Sequence, residues 1–261
     1  MRAILAIAST TVGEAIRRKV LLIILLIGLL FLSIAPGLGG LSPRQETTVL
    51  TSMMLGILQL TSAVIAIVLT VYLIPTEIER RTIYTILSKP VQRWQFLVGK
   101  YVGAVLALGL MMLLMSGVLL LTYYLLQRDV SRLGEIAKAP LFYFVQMSLL
   151  AAVAVFFSTF VSPLVNFFLS GGLYFVGSML NTIYDTFVNS PTTNPAVKAV
   201  ASVINVIVPN FASYNIQNPI INPGQPIQNP TAYALFTTAY GVFYILILLI
   251  GAMLIFDKRE V

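Results

Sequence analysis

Side chains able to shuttle protons, attack carbonyls or hold metals are scarce in this sequence. Its 261 residues include no Cys and no His, and only 16 Lys or Arg and nine Asp or Glu. The missing thiols exclude disulfides, thiolate metal sites and cysteine nucleophiles, and no imidazole is available to activate a serine. Seven of these 25 charged residues gather in one stretch: Glu77, Glu79, Arg80, Arg81, Lys89, Arg93 and Lys100 all fall within TEIERRTIYTILSKPVQRWQFLVGK, residues 76–100. The chemistry open to that stretch is contact, either ion pairs with another protein or a solvated helix face.

Nucleotide chemistry is missing from it. Gly99-Lys100 is followed by Tyr101 and has Trp94 five positions before Gly99. It therefore fails the phosphate-binding pattern G-x-x-x-x-G-K-[ST] at two points. The expectation is that this chain binds no cofactor and no metal, and that any ATP is handled by another polypeptide.

The elements that must hold this charged stretch are apolar. Uncharged runs, 47–73 and 101–127, lie on either side, each long enough to cross a bilayer core that needs about 20 apolar helical residues. With 58% hydrophobic and 10% charged residues and a mean hydropathy of +0.94, the chain reads as an integral membrane protein, since soluble domains carry roughly a quarter charged residues. The net charge of +7 comes from bases at span ends, where topology determination explains them, so nucleic acid is not expected as a partner.

Local signals organise the loop. Pro75 ends the second span, and Thr76 followed by Glu79 matches a capping box at a helix start. Glu77, Glu79, Arg80, Arg81 and Thr85 can face water while Ile78, Ile83, Ile86 and Leu87 pack inward. Ser88-Lys89-Pro90 ends this helix. A second one starts at Val91 and carries Arg93, Trp94 and Lys100 at the membrane surface into the third span.

The run E-x-E-x-x-T-x-x-x-x-L-S-x-P-x-x-R-x-x-x-x-x-G-K, here Glu77, Glu79, Thr82, Leu87, Ser88, Pro90, Arg93, Gly99 and Lys100, resembles the loop after the second span in membrane subunits of type-2 ATP-binding-cassette (ABC) exporters. Within that group it is most similar to the branch containing the permease of the nitrous-oxide-reductase maturation system. The resemblance implies a coupling helix that docks into a separate cytoplasmic ABC ATPase subunit, with Glu77, Glu79, Arg80, Arg81 and Thr82 as contact residues. It also implies pairing with a second permease copy or a related permease, ATP and magnesium bound by the ATPase, and residence among the lipids of a prokaryotic plasma (inner) membrane.

The whole chain is expected to be all-α, a single transmembrane domain over residues 1–261. Its N-terminal helix, 1–19, is interfacial, with Ile4, Ala8, Val12 and Ala15/Ile16 at helical spacing. Spans are predicted at about 20–38, 49–74, 98–126, 140–160, 164–184 and 232–256, with the coupling loop at 76–97. In the third span Gly99, Gly103 and Ala107 recur every four residues, a spacing that lets helices approach closely. Ser162 and Pro163 mark a tight turn between the fourth and fifth spans. Residues 185–231, rich in proline and asparagine, form a non-spanning outer segment with one short helix, about 194–208. Its PNFASYNIQNPI resembles the same branch.

Counting Lys and Arg favours both ends on the cytoplasmic side, eleven bases against five. Away from their ends the spans hold no Asp, Glu, Lys, Arg or His, which argues against a proton-driven transporter; sodium coupling through carbonyls and hydroxyls stays open. Gln59, Gln146, Asn166 and Asn181 can line a substrate path or bond helix to helix. The reading is a permease subunit with no activity of its own, and the alternative is a non-transporting membrane anchor or assembly factor that docks a cytoplasmic partner.

Overall fold

The computed structural model describes residues 2–39, 46–79, 92–128, 130, 132–189, 194–216 and 229–258. Among them the secondary structure is helical throughout: α1 (Arg2–Arg17), α2 (Lys19–Gly39), α3 (Glu46–Val71), α4 (Pro75–Glu79), α5 (Arg93–Gln127), α6 (Leu133–Ile136), α7 (Lys138–Ser158), α8 (Pro163–Ser178), α9 (Leu180–Ile183), α10 (Pro195–Ile207) and α11 (Pro230–Lys258), with a π-turn at Tyr184–Val188 and a 3₁₀ turn at Ala212–Tyr214. Helices α2, α3, α5, α7 and α11 are long and apolar enough to cross a membrane. The segments Pro163–Ser178 and Leu180–Val188, bent by 57° at their junction, add a sixth if they are one broken span. The fifth predicted span is thus an interrupted helix, the break falling at Met179.

Start and stop signals act locally. Pro163 opens α8 after an extended Ser162 whose hydroxyl makes no capping bond, so the fixed proline φ is the stronger signal there. Asn194 does cap α10, accepting from the Ala196 amide at 2.9 Å. Arg128, at φ 51°, closes α5 in the left-handed region, its amide donating back to Tyr124. The helix after the second span begins at Pro75, one residue before the expected cap, so Thr76 is a first-turn residue.

Helices α3 and α7 form the interior. The run Leu149–Val155 of α7, LLAAVAV, is buried all round, because its small side chains let neighbours approach from every side. Helix α7 packs against α3, α5, α8 and α11, and α2 packs on α3. Helix α5 spans 35 residues, about 52 Å at 1.5 Å per residue, well beyond a ~30 Å hydrocarbon core. Its N-terminal turns extend past the bundle's apolar middle and form the site described next.

Candidate functional site

The first three turns of α5 gather three other elements. Lys100, only 4% exposed, places Nζ 2.5 Å from Glu77 Oε1 of α4 and 3.3 Å from Glu14 Oε2 of α1. The same ammonium lies 6.0 Å from the Phe96 ring centre, in reach of its negative face. A lysine expected at the membrane surface is instead an internal clamp. Its four-carbon stem is long enough to carry the charge to two carboxylates, and a buried ammonium persists only when so paired.

Helix α1 lies along this part of α5. A Cβ built on Gly99 would stand 2.9 Å from Ile7 side-chain atoms, and one on Gly103 would stand 2.6 Å from Thr11 Cβ and 2.7 Å from the Ala8 carbonyl oxygen. Ala107 is fully buried. The contacts advance together, Ile4 and Ile7 at Gly99, Ala8 and Thr11 at Gly103, so α1 and α5 run in the same sense. The small-residue stripe is the bed on which α1 rests, through Ala8, Thr11 and Ala15, all buried.

Arg93 ties in the far end of the chain. Its Nη1 donates to the carbonyls of Asp257, at 3.1 Å, and Phe256, at 3.4 Å. Those are among the last carbonyls of α11, which have no partner within the helix, and a cation there also complements the helix dipole. Phe96 stacks on Phe256 with ring centres 6.3 Å apart. The entry of α5 therefore holds α1, α4 and α11 at one end of the bundle, and α4 and α5 are the elements that lead into and out of residues 80–91.

Of the expected contact residues, Glu77 is mostly enclosed, its side chain 14% exposed, and is engaged by Lys100 rather than open to water. Glu79 ends α4. Arg80, Arg81, Thr82, Ser88 and Pro90 lie outside the described residues. Thr76 lines a cleft of about 520 Å³ together with Glu14, Arg17, Arg18, Tyr72, Leu73 and Glu77.

The four amide side chains are bonded to protein. Gln59 Nε2 donates to Gln146 Oε1 at 3.1 Å, and Gln146 Nε2 donates to the Phe211 carbonyl at 2.8 Å. Asn166 Nδ2 donates to the Ala154 carbonyl at 2.8 Å, while its oxygen accepts from Ser170 Oγ. Asn181 Oδ1 accepts from Asn210 Nδ2 at 2.9 Å. These bonds join α3 to α7, α7 to α8, and α9 to the segment after α10.

That last segment, expected to be part of a non-spanning run, is in part core. Phe211 and Tyr214 are wholly buried. Tyr214 Oη donates to the Thr237 carbonyl at 3.0 Å, Tyr233 Oη to the Ser213 carbonyl at 2.5 Å, and the Phe211 amide to the Gly177 carbonyl at 3.1 Å. A side chain at Gly177 would meet the Phe211 ring and the Pro209 carbonyl within 2.6 Å, so glycine is needed for this approach. The segment plugs the space between α7, α8 and α11, at the opposite end from Lys100. Burial raises the Tyr214 pKa, which keeps its hydroxyl a donor.

Among the described residues no group of three acidic, His or Cys side chains is placed to hold a metal. The arrangement ties α4 and α5, which flank residues 80–91, to α1 and α11. Residues 5–261 match the model of a family described as ABC-2 family transporter protein. Comparison with curated proteins finds no match.

Proposed function

Because the chain belongs to the ABC-2 transporter family, and so is the membrane component of an ABC transporter, we propose that it is the permease of an exporter driven by ATP hydrolysed on a separate cytoplasmic ATPase subunit. The family is a transport component and not catalytic by itself. In our reading six spans cross a plasma membrane with both ends in the cytoplasm, the broken pair Pro163–Ser178 and Leu180–Val188 acting as the fifth. Two permease copies, or this chain and a related permease, form the pathway. The run Glu77–Lys100 supports grouping the chain with the branch that contains the nitrous-oxide-reductase maturation permease.

The observation that carries the mechanism is the Lys100 clamp. A docking segment transmits force only if its flanks are stiff. Helices α4 and α5, which flank residues 80–91, are joined by an ion pair of 2.5 Å on a buried lysine, and α5 continues for 35 residues without a break. Closure of the ATPase subunits on ATP would push the loop, and α5 with α1 on its glycine bed would turn as one body. At the other end α3 holds Gln146 through Gln59, and Gln146 holds the Phe211 plug. Movement of α3 relative to α7 would loosen that plug, a route from the ATPase to the outer face.

The reading is tested by copurification and ATP turnover. Arg80→Glu with Arg81→Glu is expected to abolish capture of the cognate ATPase or its permease-dependent turnover, while the chain still inserts and folds. Unchanged capture together with unchanged turnover would remove the loop from the mechanism.

A further inference from the structure

The cleft beside the clamp has a chemistry the transport mechanism does not use. Its inner wall carries Glu14 and Glu77, both held by Lys100. Arg17 and Arg18 line the same cleft, and among the described residues neither guanidinium has an acidic partner or a hydrogen bond. With the carboxylates shared on one lysine, the two arginines leave the cleft a site for an anion. A pair of guanidinium groups suits phosphate oxygens, which they can engage with two parallel N–H bonds each.

Position in the fold selects the source of that phosphate. Arg17 and Arg18 stand at the break between α1 and α2, and Tyr72 and Leu73 directly follow α3. Any bilayer crossed by α2 and α3 has its head groups at this level. The next turns of α2 expose Val20 and Ile23, 59% and 55%, a surface for acyl chains, and half-exposed Tyr72 is a typical interfacial side chain. We propose that this cleft binds the phosphate of an anionic phospholipid, bridging α1 to the α3–α4 junction next to the coupling loop. Lipid composition would then set how firmly α4 is held.

The test uses the full chain in nanodiscs of phosphatidylcholine containing a minor share of phosphatidylglycerol, with lipid retained after mild detergent extraction counted by native mass spectrometry. Wild type is expected to retain phosphatidylglycerol preferentially, and Arg17→Gln/Arg18→Gln to retain roughly tenfold less or lower still. Lys19→Gln, which removes charge nearby but outside the cleft lining, is expected to keep it. If the double variant does not fold, the single variants Arg17→Gln and Arg18→Gln should each show a partial loss. Equal loss in Lys19→Gln would mean a diffuse surface field and overturn the site, as would equal retention of the two lipids. Displacement of phosphatidylglycerol by millimolar inorganic phosphate would assign the cleft to the free anion and overturn the lipid. Because the readout is lipid bound to this chain alone, its failure leaves the permease reading standing.

Discussion

Lys100 Nζ sits 2.5 Å from Glu77 Oε1 across the two ends of the 80–91 segment, so the helices that flank this segment are tied together at its base. Charge-pair removal here should be read against removal of both partners. Lys100→Met takes the ammonium away from Glu77, whose side chain is 14% exposed, and should destabilise by roughly 3 kcal/mol. Adding Glu77→Leu should restore much of that loss, since an apolar pair needs no partner. Reversible unfolding in mixed detergent micelles measures both values.

The bed of α1 should be intolerant of a single methyl. Gly103→Ala puts a Cβ 2.7 Å from the Ala8 carbonyl, and backbone cannot rotate away, so a loss of about 1–3 kcal/mol is expected. Gly56→Ala, on the interior helix α3 but with nothing within 4 Å of the new Cβ, should be neutral or slightly stabilising. The same unfolding assay compares the pair.

Gln146 supports the plug from below. Gln146→Leu strands the buried Phe211 carbonyl and takes one partner from Gln59, with an expected loss of about 1–3 kcal/mol. Tyr214→Phe removes only the bond to Thr237 and should lose about 1 kcal/mol. Limited proteolysis between α10 and α11 should accelerate more in the first variant than in the second.

Arg93→Ala should fray the end of α11 while leaving the spans intact. Its guanidinium meets the Asp257 and Phe256 carbonyls, and a cation at a helix C-terminus contributes about 0.3–1 kcal/mol. Hydrogen exchange at 254–258 should speed up, and Arg93→Lys should recover part of the protection.

The spans were legible because charge is so rare that each uncharged run announces itself, as 101–127 does. Partner identity was not. Nothing local to Lys100 says that Glu14, 86 residues earlier, will be beside it; its place at the start of a span suggested a surface anchor instead. The Gly99, Gly103 and Ala107 stripe announced close packing but not that α1 would fill it. Phe211 and Tyr214 lie in the run PNFASYNIQNPI, whose proline- and asparagine-rich composition hid their burial. The interruption at Met179 had no proline to mark it.

The clamp's proposed role is to stiffen the helices that flank residues 80–91. Its most direct test is ATP turnover of the permease assembled with its ATPase in liposomes, comparing wild type with Lys100→Met at equal assembly. The account predicts that the variant complex forms but loses at least about fivefold of its permease-dependent turnover, the lower end of ordinary coupling energies. Turnover equal to wild type in an intact complex would contradict it.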